Sequence, residues 1–236
     1  MLLENEDTHV KNETFRSWAH EIHHVKRAKR RRSQVRKRRK RKDSPGLLLQ
    51  MYGSTHRWFG NTKSCPIALI KDGTSEVHAK FFDAETTLGC LKVLLDFIKS
   101  RGLFKPLYVN SAGIFGAPKC CNFSQAKRAC EKLSIQFIFA NSAQGKGGIE
   151  RSFDTFQDRL IPELRLKRIK KMDSANRYLQ ETFIPEYWEK QIEVNSQNSN
   201  SEFTAVPKGI DLDAVIVIQD YRKIRNDNTL RCGKKF

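Results

Sequence analysis

Three short apolar runs that follow one another closely decide the fold: LLLQMY at 47–52, PIALIK at 66–71 and EVHAKFF at 76–82. Each run is rich in aliphatic or aromatic residues and has the length of a β-strand. Asp72-Gly73 lies between the second and third runs, and such a pair typically joins two antiparallel strands into a hairpin. We therefore predict a sheet that begins with three antiparallel strands.

Helices alternate with further strands after this hairpin. The predicted helices cover 85–100, 123–133, a stretch from 149 onward, and 173–190, and the predicted strands cover 106–109 and 135–140. The order β-β-β-α-β-α-β-α indicates an α/β domain, with a mixed five-stranded sheet and helices on both of its faces.

Each predicted helix carries an apolar stripe at helical spacing, and we expect each stripe to pack on the sheet. In chain order the stripes are Leu88, Leu91, Leu94, Leu95 and Ile98; Ala126, Ala129, Cys130 and Leu133; Ile149, Phe153, Phe156 and Leu160; and Ala175, Tyr178, Leu179, Phe183 and Trp188.

Composition divides the chain into four parts. Residues 1–25 contain a short predicted helix at 12–24, and residues 26–46 form a basic linker that ends in the turn-forming sequence DSPG. The α/β domain occupies 47–190. Residues 191–236 contain a polar linker followed by short predicted strands, one of them VIVI at 215–218.

The linker carries much of the net charge of +18, because residues 26–42 hold 13 of the 44 Lys and Arg residues and no acid. These residues are Lys26, Arg27, Lys29, Arg30, Arg31, Arg32, Arg36, Lys37, Arg38, Arg39, Lys40, Arg41 and Lys42. Burying so many cations is prohibitively unfavourable, so the stretch is not core. It indicates a polyanionic partner, nucleic acid rather than a membrane. The simpler interpretation is a solvated tail, and a nuclear-targeting role applies only in a nucleated cell.

The sequence also indicates neither membrane insertion nor secretion. No apolar run approaches the roughly 18 residues of a membrane span, and the polar, acidic start is unlike a signal peptide. The six cysteines show no spacing typical of a zinc site. We expect reduced thiols in a cytoplasmic protein, with Cys90 and Cys130 at apolar helix positions.

Several motifs resemble bacterial insertion-sequence transposases of the ISNCY-like kind, which have an integrase catalytic core. Residues 50–59 (QMYGSTHRWF) are similar to the family's QMDGSxHxWF, and 140–151 (ANSAQGKGGIER) to its ANSPQAKGRVER. Further matches follow in register at 85–87 (ETT), 108–115 (YVNSAGIF), 155–160 (TFQDRL) and 222–229 (RKIRNDNT). The resemblance implies a ribonuclease-H-like fold, with the remnant of a helix-turn-helix region before it and a truncated C-terminal β module after it.

In that family three carboxylates hold two Mg²⁺ ions, which activate the nucleophile and stabilise the leaving oxygen of a phosphoryl transfer. By register the three positions are Tyr52, Asn110 and Glu150, and only Glu150 is an acid. We therefore expect no bound metal, no cofactor and no catalysis. Glu150 itself is open to a second interpretation, as a polar residue at the rim of the sheet.

Other carboxylates are poor substitutes. Asp72 and Asp83 end the second and third strands, neither of which adjoins the fourth strand. Asp154 and Asp158 lie one and two helical turns beyond Glu150, where a solvated helix face is the simpler interpretation. An active nuclease that uses Glu150 and an unforeseen ligand is the alternative.

The sequence thus predicts a catalytically degenerate transposase that binds DNA through phosphate contacts, with Lys146 as a further candidate contact. A binding module or repressor derived from a transposase is the second hypothesis. Expected partners are DNA, a second copy of the chain, or an active transposase, and the expected location is the bacterial nucleoid. A decaying gene and a domesticated one would look alike in one sequence.

Overall fold

The computed structural model describes residues 12–22, 46–109, 124–139, 147–188, 201–220, 223–224 and 226–229. The chain divides into two units, Met1–Lys37 and Arg38–Phe236. Of the first unit the structure describes helix α1, Asn12–Glu21, and the turn residue after it.

The second unit alternates strands and helices as the sequence predicted. The elements are β1 Leu49–Gly53, β2 Cys65–Lys71, β3 Val77–Phe82, α2 Thr87–Arg101, β4 Pro106–Val109, α3 Gln125–Lys132, β5 Gln136–Phe139, α4 Gly147–Leu166, α5 Met172–Tyr178, a π-helix Leu179–Trp188, and α6 Leu212–Val215.

The five strands form one mixed sheet in the order β3-β2-β1-β4-β5. Strands β1, β2 and β3 are antiparallel neighbours, whereas β4 and β5 run parallel to β1. The central strand is β1, where Met51 pairs with Leu69 on one side and with Val109 on the other. The antiparallel β2–β3 hairpin and the mixed five-stranded sheet are therefore confirmed, although the hairpin loop covers residues 72–76 and is longer than the predicted Asp72-Gly73 turn.

Two apolar clusters cover the two faces of the sheet. Because side chains alternate along a strand, Leu49 and Met51 join the cluster under α2 and α3, whereas Tyr52 joins the cluster under α4, α5 and the π-helix. The predicted inward residues of α3 and the residues Phe153, Phe156 and Leu160 of α4 are all buried. The side chain of Ile149 lies outside the described residues.

The edge strand β3 is covered by α5 and the π-helix that continues it. The side chain of Asn176 bonds both backbone groups of Phe81: its Oδ1 accepts the N–H at 2.6 Å and its Nδ2 donates to the carbonyl at 3.2 Å. An exposed strand edge would otherwise offer these groups to another chain, so Asn176 closes this edge locally.

Three sequence predictions need correction. Leu88 is 47% exposed, because the buried face of α2 is instead formed around Leu91, Leu94 and Phe97. The predicted helix 173–190 is a short α-helix followed by a π-helix.

The predicted strand 215–218 is not a strand, because its first residue ends helix α6, which Asp211 caps by accepting the N–H groups of Asp213 and Ala214. Among the described residues after 200 the one β-contact is the isolated bridge Leu103–Thr204, and the expected C-terminal β module stays a prediction because much of its segment lies outside the described residues.

Within the described part of the chain, no helix has the length and apolar character needed to cross a membrane.

Candidate catalytic site

The first family position, Tyr52, lies on the central strand β1 with its side chain 6% exposed. Alternation along the strand puts it on the face that α4 covers, in the same cluster as Phe153, Phe156 and Phe183. The neighbouring residue Ala68 on β2 leaves room for the ring because its side chain is a single methyl group. Tyr52 is therefore part of the hydrophobic core.

The structure describes the other two family positions only in part. Asn110 lies outside the described residues, but Val109 before it is paired with Met51, the residue before Tyr52. Glu150 is in the first turns of α4, and its side chain also lies outside the described residues. The grouping of the three positions in one site therefore stays a prediction.

The donor set does not fit a pair of magnesium ions. Mg²⁺ is a hard cation that binds oxygen ligands, and it usually relies on one or more carboxylates. Tyr52 offers a neutral phenol and Asn110 a neutral amide oxygen, so one carboxylate remains of three. The described residues contain no group of three or more Asp, Glu, His or Cys side chains that could hold a metal ion.

One carboxylate beside β1 was not assigned a role from the sequence. Glu85 Oε1 accepts the backbone N–H of Gly53, the residue after Tyr52, at 2.9 Å. The contact is close, because a Cβ on Gly53 would lie 2.7 Å from Glu85 and 2.9 Å from Cys65 Sγ. Burial raises the pKa of Glu85, which makes its charged, metal-binding form less favourable.

Glu85 therefore does not replace the missing acid, since it serves the backbone at the end of β1. The ETT motif at 85–87 marks this position in the sequence but does not reveal the contact with Gly53. Thr86 of that motif caps α2 by accepting the Gly89 N–H at 3.1 Å. That cap fixes the start of α2 and with it the position of Glu85, two residues before the helix.

The other acids considered from the sequence are either hydrogen-bonded in the core or exposed. Asp72 is buried and accepts a hydrogen bond from Gln50 Nε2 at 2.6 Å. Asp83, Asp154 and Asp158 are exposed.

The cysteines Cys65, Cys90 and Cys130 are buried free thiols. Burial raises the pKa of Cys65 to about 11 and that of Cys130 to about 12, and it raises that of Cys90 as well. These thiols are therefore poor nucleophiles in the folded protein, since the thiolate is the reactive form. Cys120, Cys121 and Cys232 lie outside the described residues.

The predicted DNA-contacting residues 26–42 and Lys146 lie outside the described residues, so their role stays a prediction.

The sheet order, with antiparallel and parallel neighbours around β1 and helices on both faces, defines a ribonuclease-H-like α/β domain. A solved structure agrees with this fold. A chain of the simian T-cell lymphotropic virus intasome, in complex with the PP2A regulatory subunit B56 gamma, superimposes with a TM-score of 0.53 at 15% identity, over 86% of this chain and 73% of that one.

The chain is similar in sequence to transposases, as its motifs predicted. "Putative transposase y4bF" of Sinorhizobium fredii is 32% identical over 198 residues, which are 80% of this chain and 42% of the relative. The transposase for insertion sequence IS1202 of Streptococcus pneumoniae is 28% identical over 149 residues, or 60% of this chain and 32% of that protein. The chain thus spans less than half the length of these relatives. No family model matches it.

Proposed function

We propose that this chain is a transposase-derived protein that binds DNA and has lost the chemistry of transposition. The observation that carries the proposal is the Tyr52 side chain, which the motif register assigns to the family's first metal-ligand position and which is packed into the core at 6% exposure. An ion at this position would have to displace a buried aromatic ring, and the ring offers no negative charge in return.

Binding to DNA needs none of the lost carboxylates. The basic stretch 26–42 supplies 13 cations without an acid, and cations that neutralise phosphates release counterions from DNA. This term is independent of base sequence, so the proposed binding is non-specific and takes place on the bacterial nucleoid.

The decisive experiment incubates purified protein with supercoiled plasmid and with labelled duplex, in Mg²⁺ and in Mn²⁺. We expect neither nicking nor strand joining, together with retention of the duplex in a gel-shift assay. Metal-dependent cleavage that Glu150→Ala abolishes would overturn the loss of catalysis. Absence of any binding to duplex would overturn the proposed DNA binding.

Restoring both acids tests the assignment of the site. The double variant Tyr52→Asp with Asn110→Asp should bind Mn²⁺ more tightly than the parent in calorimetry, whereas each single variant should not. A matched control adds carboxylates at Gln157 and Thr155, on the same helix as Glu150, and should leave Mn²⁺ binding unchanged.

A further inference from the structure

A cavity of about 570 Å³ opens where the loop between β1 and β2 meets the last turn of α4 and the residues after it. Its floor includes the buried side chains of Trp58 and Leu164. Four cations line it, namely Arg57, Arg165, Arg168 and Lys170, and none of the described acidic residues does. Its volume is within the range of ligand-binding pockets.

These four cations are exposed, and none has an ion pair within the described ranges. Glu163, an acid in the same part of α4, is buried, and its Oε2 accepts the Tyr178 hydroxyl at 2.9 Å. Four uncompensated cations around one depression create a local positive potential, which favours a polyanion.

The cavity is held by structured neighbours on both sides. Trp58 Nε1 donates to the Ser54 carbonyl at 2.9 Å, and the Phe59 ring contacts Phe81 edge to face with centroids 5.2 Å apart. Gly60 has a φ of +65°, which a glycine adopts without strain, and a Cβ on it would lie 3.9 Å from the Lys170 carbonyl oxygen. The loop therefore presents Arg57 from a fixed position.

The dipole of α4 explains the placement of only some of these four cations. Cations in the last turn of a helix interact favourably with its C-terminal carbonyls, which explains Arg165. It does not explain Arg57, which comes from a different loop. Lys167, in the same basic run 165–171, lies over the Tyr178 ring at 5.4 Å and does not line the cavity.

We propose that this cavity binds the sugar-phosphate backbone of a nucleic acid, in addition to the contacts of residues 26–42; this inference rests on the DNA binding proposed above. Guanidinium groups present paired donors that match the oxygens of a phosphate. Arg165 lies 15 residues beyond Glu150 along α4, which at about 1.5 Å per residue is roughly 22 Å. The site is therefore separate from the degenerate catalytic position, and it contacts nucleic acid that passes the far end of α4.

The test compares two variants of the full chain that each remove four positive charges. The first carries Arg57→Gln, Arg165→Gln, Arg168→Gln and Lys170→Gln. The matched control carries Lys92→Gln, Arg101→Gln, Lys132→Gln and Lys208→Gln, which are also exposed and do not line the cavity. Circular dichroism should show both folded, because all eight side chains are exposed.

Fluorescence anisotropy of a labelled duplex is measured against salt concentration. If the cavity holds at least two phosphates, the slope of log K against log salt becomes flatter by about 2 in the cavity variant, and its affinity near 0.1 M salt falls at least about tenfold below that of the control. Equal slopes and affinities for the two variants would overturn the cavity site and leave the proposed DNA binding standing.

Two further outcomes separate the remaining explanations. If the parent chain binds no duplex, the proposed function fails and the cavity inference fails with it. If the cavity variant loses binding to inorganic pyrophosphate in calorimetry but binds duplex as the control does, the cavity takes small phosphate compounds and the backbone proposal is wrong.

Discussion

The protonation state of Glu85 should affect the stability of the folded protein, because this carboxyl accepts a hydrogen bond from the last residue of β1. Burial raises its pKa above the ordinary value of 4.5, whereas its bond from the Gly53 N–H partly opposes the rise. The folded protein therefore binds this proton more tightly than the unfolded chain does. The resulting stability is present below about pH 4.5 and is lost as the pH rises through the raised pKa of the folded state.

Glu85→Gln should remove this pH dependence, because the amide is neutral at every pH and its oxygen still accepts the Gly53 N–H. We expect the variant to melt at a higher temperature than the parent at pH 7–8 and at a similar temperature near pH 4. Asp154→Asn, at an exposed carboxylate, is the control and should change the melting temperature little at either pH. A parent more stable than the variant at pH 8 would refute the assigned environment.

The position of Tyr52 could be predicted from the sequence, because the run 50–59 aligns with a motif whose third residue is the acid. The environment of Glu85 could not, because its partner is a backbone N–H on a strand 32 residues away. A backbone group carries no residue-specific signal, so only the meeting of β1 with the start of α2 reveals the contact.

At the scale of elements, α4 carries Glu150 in its first turns and packs on the core through Phe156. Phe156 is 1% exposed, and its ring contacts that of Phe183 edge to face with centroids 5.6 Å apart. Phe156→Ala should lower the free energy of unfolding by about 3–5 kcal/mol, because it removes a buried ring and leaves a cavity. Phe153→Ala should have a cost in the same range. Asp154→Ala, exposed between them, serves as the control in urea unfolding. A cost below about 1 kcal/mol for Phe156→Ala would contradict the packing of α4.

Helix α3 holds the segment 212–220 through one buried arginine. The Arg128 guanidinium donates to the carbonyls of Val215, at 3.1 Å, and of Val217. Gln125 supports it, because its side chain bonds both backbone groups of Gln219, at 2.7 and 3.0 Å. Removing the arginine leaves these carbonyls without their charged donor.

Arg128→Met should therefore lower the free energy of unfolding by about 1.5–3 kcal/mol and make the segment 212–220 more sensitive to limited proteolysis. The exposed neighbour Lys127, paired with Glu131 at 3.7 Å, is the matched control, and Lys127→Met should cost less than about 1 kcal/mol. Equal proteolysis of the two variants would show that Arg128 does not hold the segment.

The same contacts show why two elements could not be predicted from the sequence. The run VIVI at 215–218 is locally ideal for a strand, but the Asp211 cap begins a helix and Arg128 takes two of its carbonyls. Leu179 and Phe183 are four residues apart, and residues with this spacing share a face in an α-helix and in a π-helix alike. The apolar periodicity of the sequence therefore does not reveal the change of helix type. Leu88 shows the converse, since an apolar residue at helical spacing is exposed near the start of α2.

At the scale of the whole molecule, the charge is divided between a very basic stretch and a nearly neutral body. Of the net charge of +18, residues 26–42 contribute +13 and the remainder about +5. This division could be predicted from the sequence alone. The grouping of Arg57 with Arg165, Arg168 and Lys170 could not, because more than a hundred residues separate the loop from the end of α4.

Deleting residues 26–42 from the chain tests where the electrostatic attraction to DNA resides. If half of the 13 cations contact phosphates, they should contribute about −6 to the parent's slope of log K against log salt, and the deletion should remove this contribution and abolish most duplex binding. Anisotropy titrations at several salt concentrations measure both slopes. Circular dichroism and urea unfolding of the deletion variant should match the parent, because 13 cations in 17 residues are not part of a core. A deletion variant that binds as tightly as the parent, with the same slope, would instead assign the phosphate contacts to the folded domain.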